Sequence, residues 1–171
     1  MKHHGTDNYI QALRMYKRQC KKPEKIKGGM RKVHADLVKR GFIKRLDELS
    51  STQQKVIEES GFKHYHPWNT VEKPDSISTP VRMVVDPSMS GLNEILAKGE
   101  NLLALIHEII LRSRCKLFIW TSDISKLYNQ LHLKDSALPY SLLLYHDEMD
   151  PEKSPDEWVM VRAWYGVKST G

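Results

Sequence analysis

Apolar residues recur at helical spacing through the first sixty positions, then shift to the denser runs of strands. Tyr9, Leu13, Tyr16 and Cys20 share one helical face, with Thr6 as a candidate cap and Pro23 ending the helix. Gly28-Gly29 reads as a break. Met30, Val33 and Leu37 form a second stripe, and Gly41 stands where a C-terminal cap belongs. A short third helix is expected from Ser51 or Thr52 to Glu59, closed by Gly61.

Beyond Gly61 the pattern predicts strands. His64–Val71 and Val81–Asp86 are rich in β-formers and flank the polar cluster Glu72-Lys73-Pro74-Asp75-Ser76, which predicts a hairpin with a long polar tip. A helix is expected from Asn101, with Leu102, Leu105 and Ile109 on its apolar face. Leu117-Phe118-Ile119-Trp120 reads as a buried strand running into Thr121-Ser122-Asp123, followed by a helical turn from Ile124 to Gln130. Leu142–Tyr145 and Trp158–Val161 are expected as partner strands across the acidic loop His146–Glu157. The order of elements is α+β, without the strict βαβ alternation of a doubly wound sheet.

Composition narrows the class. The 171 residues suit one domain, and 40% hydrophobic with 28% charged residues is a globular balance. No stretch reaches the ~18 apolar residues of a membrane span, so no membrane partner is expected. The start, Met1-Lys2-His3-His4, lacks the apolar core of a secretory signal. Cys20 and Cys115 have neither disulfide-framework nor zinc spacing, which points to an intracellular, cytoplasmic setting. His64-x-His66 lacks companion ligands and reads as ordinary strand histidines. The net charge of +6 is uneven: residues 1–45 hold fourteen Lys or Arg against Asp7, Glu24 and Asp36. Such a basic end suits a polyanion partner, and equally a set of solvated helix faces.

Asp123 is the most informative residue. At a strand end before a helical turn, a carboxylate can face a cleft and ligate a hard cation such as Mg²⁺. The same position also suits an N-cap.

The surrounding residues carry a resemblance. Asp123-Ile124-Ser125-Lys126-Leu127-Tyr128, continued by Asn129-Gln130-Leu131-His132-Leu133, is similar to the first catalytic motif of reverse transcriptases, in the form used by the Pao/BEL branch of long-terminal-repeat retrotransposons. Four further segments agree in order and spacing. Tyr65-His66-Pro67-Trp68 resembles that branch's Tyr-x-Pro-His-His stretch, with departures. Thr79-Pro80-Val81-Arg82-Met83-Val84-Val85-Asp86-Pro87-Ser88 is similar to Thr-x-x-Arg-Val-Val-Phe-Asp-Ala-Ser. Gly91–Gly99 resembles Ser-Leu-Asn-Asp-x-Leu-x-x-Gly, and Ile109–Arg114 resembles Ile-Leu-Leu-Arg-Phe-Arg. The resemblance covers roughly residues 61–133 and, more loosely, 10–171.

It implies an incomplete right-hand polymerase: a basic helical N-terminal segment over 1–60, a fingers-like hairpin and helix over 61–114, and the start of a truncated palm over 115–171. Asp123 would bind catalytic Mg²⁺, with the Ile124 main-chain carbonyl as a further ligand. Arg82 would grip the incoming triphosphate through its guanidinium fork. Tyr128 would lie under the sugar and favour deoxynucleotides, and Lys73 at the hairpin tip would be a second phosphate contact. Tyr165-Gly166-Val167-Lys168-Ser169 resembles Phe-Gly-x-x-Ser, where Gly166 would help form the template floor; Thr170-Gly171 departs from the family's Ser-Pro. The implied partners are an RNA or DNA template-primer and deoxynucleotides.

The implied reaction is two-metal nucleotidyl transfer. It needs a further pair of carboxylates from a Tyr-x-Asp-Asp turn, which this sequence does not contain. Asp135, Asp147, Asp150 and Asp156 lie in connecting segments. The expectation is therefore a polymerase-derived chain, lacking the rest of its polyprotein and inactive by itself. The alternative is a non-catalytic, basic nucleic-acid-binding module.

Overall fold

A computed structural model describes residues 8–76, 80–99 and 105–168. Helix α1 (Tyr9–Cys20) buries Ala12, Tyr16, Gln19 and Cys20, one face at helical period. The expected cap Thr6 lies outside the described residues. Asn8 stands at the N-cap position but turns its amide away from the helix: Nδ2 donates to the Tyr65 carbonyl, and Oδ1 accepts the Tyr65 N–H at 2.8 Å.

Helix α2 (Glu24–Lys39) runs unbroken through Gly28-Gly29, contrary to the break read from the sequence. The reason is packing. A Cβ on Gly29 would lie 2.6 Å from Val81 Cγ2, so the missing side chain admits a neighbouring strand. The helix ends in a Schellman motif. Phe42 N–H donates to the Leu37 carbonyl and Gly41 N–H to the Val38 carbonyl, both at 2.9 Å, with Gly41 at φ 66°. Strand β1 (Ile43–Arg45) follows at once. Its three residues, Ile-Lys-Arg, were too few and too polar to announce it. Helix α3 (Ser51–Glu59) begins and ends as expected: Ser50 Oγ accepts the Gln53 N–H at 3.3 Å, and Gly61 has φ 72°.

Strands β2 (Trp68–Glu72) and β3 (Val81–Val85) form the expected antiparallel hairpin, in register from Trp68↔Val85 to Glu72↔Val81. It starts at Trp68 and not at His64, because His64–His66 pairs elsewhere. The His64 N–H donates to the Pro139 carbonyl at 2.8 Å, and the His66 N–H to the Leu142 carbonyl at 2.7 Å. That contact lies along β4 (Leu142–Tyr145), which pairs antiparallel with β5 (Asp156–Met160) as expected. β1 covers the other side of β5, giving the order β1-β5-β4. All four β4 residues are buried. The core runs from Tyr16 and Met30 through Trp68 to Leu142, Tyr145 and Val159, drawing on all three sequence segments. The Trp68 indole N–H donates to the Leu144 carbonyl at 2.9 Å and ties the hairpin to the sheet.

The described residues also form α-helices α4 (Leu92–Ile95), α5 (Ile106–Arg114) and α6 (Leu127–Gln130), and two 3₁₀ segments, Leu46–Glu48 and Asp135–Tyr140. Asn101 and Leu102, the expected start of α5, lie outside the described residues. No residue of α5 is buried. Leu117–Trp120 corrects a second expectation: it forms no strand, and Leu117 and Trp120 are each 95% exposed. An apolar run states a need for burial without supplying a partner. Here the two central positions are taken, since β5 lies between β1 and β4 and the His64–His66 segment lies along the other side of β4, and no described strand at an outer edge pairs with Leu117–Trp120. The architecture is α+β with small antiparallel sheets, and no described helix is long and apolar enough to cross a membrane.

Candidate functional site

The hairpin positions Arg82. Alternation along β3 buries Met83 and Val85 and turns Arg82 and Val84 outward. Arg82 stands opposite Val71, so the outward face of the hairpin carries a cation beside two exposed valines. Lys73 lies just beyond β2, exposed, with its N–H donating to the Pro80 carbonyl at 2.7 Å. Thr79, part of the motif leading into β3, lies outside the described residues.

Asp123 is not at a strand end. It is exposed, as is Ile124 at 58%, and neither side chain has a polar partner among the described residues. The segment is anchored three residues later. Lys126, at φ 53°, places its ammonium 2.6 Å from Asp36 Oδ2 on α2 and 5.8 Å above the Phe42 ring. Hydrogen bonds from Lys126 and Arg40 hold the Asp36 carboxyl below its ordinary range. Lys126 also precedes α6 at the N-cap position, so Asp123 does not cap that turn.

Tyr128 is half-buried against Tyr165, edge to face, with ring centroids 4.8 Å apart. Asn129 is buried and donates through Nδ2 to the Ala163 carbonyl at 3.1 Å. The next residues pair with the segment after β5: Ala163 N–H donates to the Leu131 carbonyl at 2.9 Å and Leu133 N–H to the Val161 carbonyl at 3.1 Å.

Gly166 closes the contact chain. Its φ of 90° is a conformation that side chains disfavour, and a Cβ there would sit 3.6 Å from the Val85 carbonyl oxygen and 3.7 Å from Pro87 Cδ. Its own carbonyl accepts from Asn93 Nδ2 at 2.9 Å, while Asn93 Oδ1 accepts the Lys168 N–H at 2.8 Å. The fold therefore links Tyr128 through Tyr165 and Gly166 to the end of the strand that bears Arg82. Lys73 lies at the other end of that hairpin, and Asp123 and Ile124 lie outside the contact chain. Sequence reasoning gave no role to Asn93, Tyr165 or Asp36. Asn93 lies inside a quoted motif, but its partner is 73 residues away and no spacing announces it.

Mg²⁺ prefers about six oxygen ligands in near-octahedral array. Asp123 and the Ile124 carbonyl offer two, and among the described residues no three His, Cys, Asp or Glu side chains gather. The later aspartates have other partners. Asp135 accepts from Gln53 Nε2 at 2.9 Å, Asp150 accepts the Glu152 N–H at 2.9 Å, and Asp156 lies 3.9 Å from Arg45. Asp147 lies 3.4 Å from His34 Nδ1. A two-metal site is not completed by these residues. His64 and His66 are buried and meet edge to face with ring centroids 5.3 Å apart; burial lowers their pKa values to about 4 and about 3, which makes them neutral core groups. An open cleft of about 460 Å³ lies among Arg45, Gln54, Lys63, Asp156 and Glu157, and none of the sequence-predicted site residues lines it.

Compared with known proteins, the chain matches no family model and no curated protein.

Proposed function

We propose that residues 61–133, with the turn at Gly166, form the fingers and the start of the palm of a Pao/BEL-type RNA-directed DNA polymerase. The observation that carries this reading is the agreement of five motif segments in order and spacing, from Tyr65–Trp68 to Asp123–Leu133. Two structural features support it. The segment bearing Arg82 is the second strand of an antiparallel hairpin with that side chain outward. Tyr128 packs on Tyr165, and a Cβ on the neighbouring Gly166 would point toward the end of the same strand. On this reading Arg82 and Lys73 contact the triphosphate, Tyr128 underlies the sugar, and Gly166 belongs to the template floor. Asp123 and the Ile124 carbonyl supply part of a Mg²⁺ site whose remaining carboxylates are not gathered among the described residues. The partners are template-primer and deoxynucleotides, and the chain alone does not polymerise.

A second reading, a basic nucleic-acid-binding module without catalysis, is favoured by the exposure of Asp123 away from any strand. Ultraviolet crosslinking of radiolabelled dTTP, with poly(rA)·oligo(dT) and Mg²⁺ present, separates the two. The polymerase reading predicts labelling that falls severalfold in Arg82→Ala and Tyr128→Ala. Labelling indifferent to both substitutions leaves only the module.

A further inference from the structure

Helix α1 and its C-cap carry Arg14, Lys17, Arg18 and Lys21. These positions are i, i+3, i+4 and i+7, which the period of about 3.6 residues per turn sets on one face. All four are exposed. The opposite face, Ala12, Tyr16, Gln19 and Cys20, is buried in the core. The helix is pinned along its length. Gln11 Nε2 donates to the Met89 carbonyl at 2.9 Å, and Gln19 Oε1 accepts from Thr70 N–H at 3.2 Å and Thr70 Oγ1 at 3.0 Å. Lys22 Nζ donates to the Thr70 carbonyl at 3.2 Å. The four cations are thus presented on a fixed helix beside strand β2.

Among the described residues no acid pairs with them, and helix α1 contains no acidic residue. Helix α2 differs. Glu24 pairs with Lys27 and Arg31, and Asp36 with Arg40 and Lys126. The unpaired cations of α2, Lys25, Lys32 and Lys39, are seven residues apart, a separation of about 10.5 Å along the axis. On α1 four cations fall within that same length. Like charges three and four residues apart disfavour a helix. The helix dipole offsets this for Lys17 and Arg18 in the last turn but not for Arg14 in the middle. A bound anion would remove the repulsion for all four.

We infer that this face of α1 is a binding surface for the sugar–phosphate backbone of a nucleic acid. A closely spaced row of cations matches a polymer that carries one charge per about 1.7 Å of duplex axis. A lipid surface fits less well, because the apolar face of the helix is already in the core and is not free to insert. Contacts to phosphates position a strand without reading its sequence, so binding is sequence-independent. The inference rests on nucleic acid being the partner proposed above, but it needs neither Asp123, a metal nor a nucleotide.

The test is fluorescence anisotropy of the full chain with a labelled 20-base-pair duplex of random sequence, from low to moderate salt. Each phosphate neutralised contributes about −0.9 to the log–log salt slope, so four contacts contribute about −3.6. The variant Arg14→Gln/Lys17→Gln/Arg18→Gln/Lys21→Gln is expected to lose most of that slope and to bind at least about tenfold more weakly at low salt. Lys25→Gln/Lys32→Gln/Lys39→Gln is the control, expected to stay within about threefold of wild type. Circular dichroism checks that both variants keep their helices. Equal losses in the two variants, or none in the α1 variant, would show that the surface is wrong while nucleic-acid binding stands. No binding by the wild-type chain would overturn both, and preferential binding of phosphatidylserine vesicles would assign the face to a membrane.

Discussion

Asp36 on helix α2 holds the ammonium of Lys126 at 2.6 Å, and this ion pair fastens the segment bearing Asp123 and Tyr128 to the N-terminal helices. Lys126 reaches it from a left-handed backbone conformation, φ 53°. The Asp36 carboxyl is held below its ordinary range, so the pair is present at neutral pH and is lost as pH falls through that lowered value. Both partners are about a third exposed, which limits the contribution to under about 1 kcal/mol. Lys126→Gly removes the pair but relieves the left-handed strain. Lys126→Ala removes the pair and keeps the strain, and is expected to be less stable than the glycine variant by about 1 kcal/mol in urea unfolding. In both, amide exchange at residues 124–130 should quicken.

The adjacent glycines of α2 give opposite expectations. A Cβ on Gly28 meets nothing within 4 Å, so Gly28→Ala should stabilise the protein by about 0.5–1 kcal/mol through helix propensity. A Cβ on Gly29 would overlap the branched Val81 side chain at 2.6 Å. Gly29→Ala should therefore destabilise by about 1–3 kcal/mol, and Val81→Ala in the same chain should recover part of the loss. Equal effects at the two positions in denaturant melts would contradict the close approach of α2 and β3.

Acid should unfold this protein through its histidines. His34, stacked on Tyr145 with ring centroids 3.7 Å apart, is lowered by burial to about 4; His64 is likewise lowered to about 4 and His66 to about 3. Each is neutral in the fold, while its ordinary value is 6.5. Below that value the unfolded chain binds protons that the folded one refuses. Stability is therefore full above about pH 6.5 and declines toward pH 4, by several kcal/mol for the three together on the order-of-magnitude scale of such shifts. Urea midpoints at pH 7.5, 6, 5 and 4 measure the decline. His34→Phe keeps an aromatic ring in the stack and should flatten one part of it.

Leu117, Phe118 and Trp120 are 85–95% exposed, and α5 beside them in sequence shows Ile106 at 75% and Leu111 at 59%. A surface of this kind favours association. Sedimentation velocity should show a mean size that rises with concentration, with binding of a hydrophobic dye. Phe118→Asp/Trp120→Asp should reduce both. A monomer at all concentrations that binds no dye would show that these side chains are covered in solution.

Primer extension on poly(rA)·oligo(dT) with dTTP and Mg²⁺ or Mn²⁺ should yield no product from the pure chain. On the proposed reading, Asp123 and the Ile124 carbonyl alone would leave Mg²⁺ mostly in its water shell, and phosphoryl transfer depends on metal geometry. Template-dependent extension, abolished by Asp123→Ala, would show that a smaller site suffices.

Where each segment's own chemistry decided its shape, the sequence was enough. Helices α1 and α3, the β2–β3 hairpin around its polar tip, the β4–β5 pair and the left-handed positions of Gly41 and Gly61 follow from period, caps and turn residues. The motif order that supports the polymerase reading is also a property of the sequence alone. Tertiary structure decided whatever depended on a distant partner. Gly28-Gly29 continues a helix with Val81, some fifty residues away, packed against Gly29; Leu117–Trp120, apolar enough for a strand, pairs with no described strand. The links Asp36–Lys126, Tyr128–Tyr165 and Asn93–Gly166 join residues whose separation along the chain carries no periodic signal. Local propensity sets the elements within a few turns of chain, whereas contacts among elements are selected by burial and shape, which exist only once the chain has folded.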